Sequence, residues 1–132
     1  MSQLEKLIEK KILLKVGGHK DIVCWSNDVG TARALTPPHQ HIRYGKKGSG
    51  DIVGIMSPFG NHFDIEVKTS KGVQRETQII YQKATVAKGN FYIIGRDPEE
   101  ALHDLLLLRI KFCEIWGLEH LVNYKTLEIE HG

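Results

Sequence analysis

The run from residue 62 to residue 95 constrains this chain most, because a strand, a helix and a second strand follow one another there with short joints. Residues 62–69 alternate around Phe63, Ile65 and Val67, residues 74–88 read as a helix closed by Gly89 and Asn90, and residues 90–95 read as a buried strand. A strand–helix–strand unit of this kind crosses over its sheet, so its two strands are expected to lie parallel with a right-handed connection. Upstream, Leu4, Leu7, Ile8 and Ile12 recur at helical spacing over residues 3–16, before Gly17 and Gly18. Residues 21–26 read as a short strand, 27–33 as a loop and 41–44 as another short strand. The strand at 51–56 turns back into the strand at 62–69 through Ser57-Pro58-Phe59-Gly60-Asn61. Asp97-Pro98-Glu99-Glu100 opens a last helix, with an N-cap aspartate, proline in the first turn and acids at the positive end of the dipole. That helix is expected to run to about Trp116, with a short strand in the tail near residues 125–129. The expected fold is α/β, a mixed β-sheet flanked by helices. The chain of 132 residues reads as a single domain over 1–132, with a core at about 3–100 and a C-terminal helix and tail over 98–132.

Two of these strands carry charge where a strand can aim it. Asp51 opens one, and Glu66 and Lys68 sit two residues apart in the next, so they share a face while Val67 packs on the other. The hairpin brings Asp51 beside that pair. Two converging carboxylates form a site for a hard divalent cation with oxygen ligands, and a neighbouring ammonium can orient water and neutralise a developing anion. That chemistry is metal-dependent phosphodiester hydrolysis.

The spacing of Asp51 from Glu66-Val67-Lys68 resembles the PD-(D/E)xK nuclease superfamily. Gly48-Ser49-Gly50-Asp51, Ile65-Glu66-Val67-Lys68-Thr69, the stretch from Gly72 to Gln78 and the helix reaching Gly89 are similar to the VRR-NUC family, the virus-type replication-repair nucleases. The resemblance runs from the first helix to about Glu100; Gly50 stands where the superfamily's name would place proline. It implies a restriction-endonuclease-like fold and a DNA endonuclease using Mg²⁺ or Mn²⁺. Asp51, Glu66 and the carbonyl of Val67 would hold the cation, Glu5 from the first helix would contribute directly or through water, Lys68 would serve the attacking water, and Gln78 would face the site. Small stand-alone members of the family are phage-borne and dimeric, so the resemblance implies a homodimer, a branched or four-way-junction (Holliday) substrate and cleavage leaving a 5′-phosphate. A nucleic-acid-binding module without turnover, and a flap-type or restriction-type nuclease, stand as alternatives.

Helical periodicity separates the two acids of the first helix: at about 100° per residue with Leu4 as origin, Glu5 falls near the apolar stripe and Glu9 beyond it. An ordinary surface acid is the alternative for both. The formal net charge is only +2, so a nucleic acid would have to be held by a local basic patch. Arg33, Arg43, Lys46, Lys47, Lys71 and Arg75 are its candidates, with a solvated charged surface as the alternative. Gln82, one turn after Gln78, could share its face. His39 and His41 at i, i+2 lack further ligands at recognisable spacing, which disfavours zinc. The glycines around Lys46 and Lys47 lead into a strand rather than a helix, which disfavours a phosphate loop. Cys24 and Cys113 lie in apolar segments without CxxC spacing and read as reduced core residues. The first residues lack an apolar signal core and no stretch approaches a membrane span, so a cytoplasmic protein, of a phage or its bacterial host, is expected. In the last helix Leu102, Leu105, Leu106, Phe112 and Trp116 form one stripe, leaving Leu107, Leu108 and Ile115 for a partner copy or for the tail.

Overall fold

The N-cap Ser2 accepts a hydrogen bond from the Glu5 amide and starts helix α1 (Gln3–Gly17), whose inward face carries Ile12 and Val16, both fully buried. A computed structural model of the protein describes residues 1–28 and 30–130, with only the backbone at 30–32 and 42–44. Strands β1 (Ile22–Ser26), β4 (Ile52–Met56), β5 (Asn61–Val67) and β6 (Phe91–Gly95) form one sheet in the order β1-β4-β5-β6. The first three are antiparallel and β6 runs parallel to β5. Helix α2 (Glu76–Val86) makes the crossover, and α3 (Pro98–Ile115) begins at Asp97, whose side chain accepts from the Glu100 amide. The architecture is a small α/β domain with a four-stranded mixed sheet and, among the described residues, three α-helices. None of these helices is long and apolar enough to cross a membrane.

One face of the sheet is apolar throughout. Ile52 and Met56 of β4 and Phe63, Ile65 and Val67 of β5 close with Ile12 and Val16 of α1 and Leu105 of α3 into a single cluster. At roughly 1.5–3 kcal/mol for each fully buried large apolar side chain, this face carries the fold and leaves the other free to hold charge.

Several sequence expectations shift. The stretch 27–33 is not all loop: β2 (Gly30–Arg33) pairs antiparallel with β3 (His41–Tyr44) in a separate ribbon. Four residues without apolar alternation gave no strand signal. Leu4 and Leu7 are 56% and 49% exposed, so the buried stripe of α1 is centred on Ile12 and Val16. Trp116 is 68% exposed and leaves the stripe of α3, while Arg109 joins it, fully buried. Arg109 donates to the Asp21 carboxylate at 2.9 Å and to the Ser57 carbonyl at 2.7 Å, tying α3 to the ends of β1 and β4. The tail forms a two-residue ladder, β7 (Val122–Asn123) with β8 (Glu128–Ile129), and buries Ile129. Cys113 is buried and Cys24 half-buried, both free thiols.

Candidate active site

Because β5 sends Phe63, Ile65 and Val67 into the core, the pleat sends Asp64, Glu66 and Lys68 to the opposite face. Lys68 lies just beyond the strand, but its amide donates to the Gly95 carbonyl at 3.0 Å, which prolongs the extended run. The β4–β5 register pairs Ile52 with Ile65, so the next residue on β4's side, Asp51, comes opposite Glu66. There the Val67 amide donates to Asp51 Oδ2 at 2.7 Å and fixes the carboxylate. In a strand the N–H and C=O of one residue turn to the same edge, so the Val67 carbonyl also lies on Asp51's side. The structure thus brings together Asp51, Glu66, Lys68 and the Val67 backbone.

Glu66 is fully buried. The Tyr92 hydroxyl donates to its Oε1 at 2.8 Å, and its Oε2 has no hydrogen-bond partner. Burial pushes the Glu66 pKa up, the Tyr92 bond and the Lys68 ammonium draw it back, Asp51 pushes it up and Arg75 lowers it. Asp51 is likewise raised by burial; the Val67 amide and Lys68 oppose the shift, Glu5 adds to it and Arg75 opposes it. Tyr92, raised by burial and by its bond to Glu66, keeps its proton and remains a donor.

A hard cation fits these residues. A buried carboxylate oxygen without a donor is costly unless something positive meets it. Glu66 Oε2 is such an atom, with the Asp51 carboxylate opposite Glu66 at the start of β4 and the Val67 carbonyl next along its own strand. Among the described residues no three His, Cys, Asp or Glu side chains gather as a metal group, so Glu5 does not join Asp51 and Glu66 in a three-carboxylate cage. Two carboxylates and a carbonyl, with water in the remaining positions, is a donor set that suits Mg²⁺ or Mn²⁺.

The other sequence candidates divide. Glu5 is half-buried, takes a hydrogen bond from the Ser2 hydroxyl at 3.1 Å and bears on Asp51 through its charge. Glu9, read as the more exposed acid, is also half-buried. It accepts from the Ser26 hydroxyl at 3.1 Å, and its pKa is raised by burial and by Asp51 and Asp28 against that bond. Leu4, the origin of the helical angles, faces solvent; with the buried stripe on Ile8, Ile12 and Val16, both acids lie along it. Gln78 spends its Oε1 on the Arg75 amide at 2.7 Å, capping the start of α2. Gln82 accepts from Gln74 at 2.8 Å. Arg75, at the N-cap of α2, bears electrostatically on both carboxylates. Lys46 and Lys47 are exposed in the turn that leads to Asp51. That turn abuts α2 closely: at Gly48, with φ +85°, a Cβ would stand 2.3 Å from the Thr77 carbonyl oxygen. Lys71 is exposed in the loop after Lys68, and the Arg96 guanidinium holds that loop through the Thr69 and Gly72 carbonyls. Arg33 is exposed on β2, and no hydrogen bond or ion pair joins it to the site; the Arg43 side chain lies outside the described residues. His39 and His41 are exposed, and His39 Nδ1 lies 3.1 Å from the Ala34 carbonyl.

Two residues of this face escaped the sequence reading. Asp64, fully buried, accepts from the Gly50 amide at 2.9 Å, from the Tyr81 hydroxyl at 3.0 Å and from the Asn90 amide at 2.8 Å. It therefore locks the segment that ends in Asp51 against β5 and α2. Tyr92 sits opposite Asp64 in the parallel register, on the same face. Its place in an alternating strand beside β5 was the available signal. Comparison with family models, with curated proteins and with solved structures finds no match.

Proposed function

We propose that this protein is a divalent-metal-dependent DNA endonuclease of restriction-endonuclease-like fold, acting on branched DNA. The observation that carries the reading is Glu66, fully buried with Oε2 unpartnered, across the hairpin from Asp51 and two residues from Lys68. Asp51, Glu66 and the Val67 carbonyl would hold Mg²⁺ or Mn²⁺, which when bound supplies Lewis-acid polarisation of a phosphate oxygen and acidifies water. The Val67 amide and the Tyr92 hydroxyl pre-set the rotamers of the two carboxylates, so little ordering is left for the moment of binding. Lys68, 7% exposed on the same face, orients the attacking water and stabilises the charge that builds on the phosphoryl oxygens. The water oxygen bonds to phosphorus, the bond to the 3′ oxygen breaks, and the water's proton goes to solvent or to the departing oxygen. The products carry a 5′-phosphate and a 3′-hydroxyl, as the VRR-NUC resemblance implies. Arg75, Lys46, Lys47 and Lys71 surround this end of the sheet and would meet the backbone phosphates.

The test is a panel of duplex, flap, splayed-arm and four-way-junction DNA, each with Mg²⁺, Mn²⁺ or EDTA. Cleavage is expected with either metal and none in EDTA. Asp51→Asn and Lys68→Ala should each cut the rate by at least about a thousandfold while the melt stays cooperative. Cleavage that survives EDTA, or Lys68→Ala at close to wild-type rate, would overturn the assignment of roles. Opposed nicks on a four-way junction, with a dimeric mass by light scattering, would make it a junction resolvase.

A further inference from the structure

An open groove of about 950 Å³ lies at the start of β5 and β6, between the second half of α2 and the last turns of α3. Its floor is a line of rings: Phe91 lies 6.5 Å from Phe112, and Phe112 lies 6.2 Å from Trp116, whose indole is 68% exposed. Its inner end is Tyr92, whose hydroxyl holds Glu66, so the groove shares a wall with that carboxylate. Its charged lining is cationic: Lys88 and Lys111, both exposed and without an ion pair among the described residues, and no acid.

From this we infer that the groove binds an unpaired nucleic-acid strand, stacking a base on Trp116 and seating the adjoining phosphates on Lys88 and Lys111. The inference rests on the nuclease reading and deepens it, since it makes a flap, splayed arm or gap the substrate feature that is recognised. Charge decides the occupant. A second copy docked by a twofold axis would set the same lysines against each other across the interface, whereas a polyanion neutralises them. Exposed aromatic surface beside cations is also the pairing that holds single strands without reading their sequence, because every base offers a face to stack.

The experiment measures binding of a fluorescein-labelled oligothymidylate in EDTA by anisotropy, where no cleavage can occur. Trp116→Ala should weaken binding by about tenfold or more. Lys88→Gln with Lys111→Gln should flatten the dependence of log affinity on log salt by roughly 1.4, the value for two phosphates on a single strand. Neither should alter the melt greatly, since all three side chains are exposed. Wild-type affinity and salt slope in both variants would overturn the inference. So would equal competition by polyglutamate, or a dimer that Trp116→Ala converts to a monomer, because the groove would then be a general anion surface or a self-interface. Wild-type cleavage of the DNA panel with Mg²⁺ or Mn²⁺ separates the two readings: groove-dependent binding with no cleavage of any DNA would sink the nuclease alone. Cleavage without groove-dependent binding would sink the groove alone.

Discussion

Asp64 and Glu66 stand two residues apart on one face of β5, both fully buried, and their surroundings treat them in opposite ways. Around Asp64 three donors converge, from Gly50, Tyr81 and Asn90, and His62 stands 3.6 Å away. Around Glu66 one donor, Tyr92, meets one oxygen and leaves the other bare. A carboxylate with its acceptor sites filled is a tie between segments. One with an empty acceptor site in a dry place stores an unpaid desolvation cost that a ligand can relieve. The same strand thus builds its scaffold at one position and its candidate chemistry at the next, and mutation can test whether that division is real.

The largest effect is expected at Asp64. Removing it in Asp64→Ala strands the buried Gly50 amide and takes an acceptor from the half-buried Tyr81 hydroxyl and Asn90 side-chain amide, the latter keeping Thr85 Oγ1. At about 1–3 kcal/mol for a buried unpaired group, with smaller terms from the other two, the loss should be on the order of 3 kcal/mol. Urea unfolding measures it. A loss below about 1 kcal/mol would mean that water replaces the carboxylate and that the contrast with Glu66 is only apparent.

Glu66→Gln should move stability the other way. In the metal-free protein burial raises the pKa of Glu66 and of Asp51 above their ordinary values of 4.5 and 3.8. The unfolded chain therefore releases these protons first, and the metal-free fold loses stability as pH rises from those ordinary values through the raised ones. Gln in place of Glu66 still accepts from Tyr92 but carries no charge. In EDTA at neutral pH it should be more stable by on the order of 1 kcal/mol, with a shallower loss between acid and neutral pH. Mn²⁺ should raise the wild-type melting temperature and leave Glu66→Gln nearly unmoved. A variant that melts below the wild type in EDTA would show that Glu66 is already satisfied and that nothing waits to bind there.

The contrast also marks how far the sequence could be read. The crossover at 62–95, the parallel pair it makes, the hairpin and the placing of Asp51 beside Glu66 and Lys68 all followed from period-two and helical patterns, which are local. The β2 strand did not, because residues 30–33 carry no apolar alternation and pair only with β3, outside the main sheet. Arg109 sits at an inward position of α3 that the pattern of leucines already marked, but its partners, Asp21 and Ser57, lie 88 and 52 residues away. Tyr92 and Asp64 each needed the register of three adjacent strands before their roles were visible. Composition shows which side chains can carry charge inside; it does not show which of them find donors.

The smallest predicted effect concerns the end of α1. The sequence stripe anchored on Leu4 makes Glu5 the important acid and Glu9 a bystander, but Leu4 is exposed and both acids are half-buried along the face that reaches Asp51. Each acts on Asp51 by charge: Glu5 raises its pKa, and Asp51 in turn raises that of Glu9. Neither completes a three-carboxylate group with Asp51 and Glu66, so each should help a cation by through-space attraction rather than by coordination. At separations of several ångströms near a protein surface such a term is modest and screened by salt, so Glu5→Gln and Glu9→Gln should each weaken Mn²⁺ binding by only about two- to fivefold. Calorimetry at two ionic strengths checks both size and origin. The losses should be similar in the two variants and shrink as salt rises. A salt-independent loss of tenfold or more confined to Glu5→Gln would make Glu5 a ligand and restore the asymmetry that the helical angles imply. A loss confined to Glu9→Gln would point instead to its bond with Ser26, as a tie between α1 and β1 that the carboxylate pair depends on.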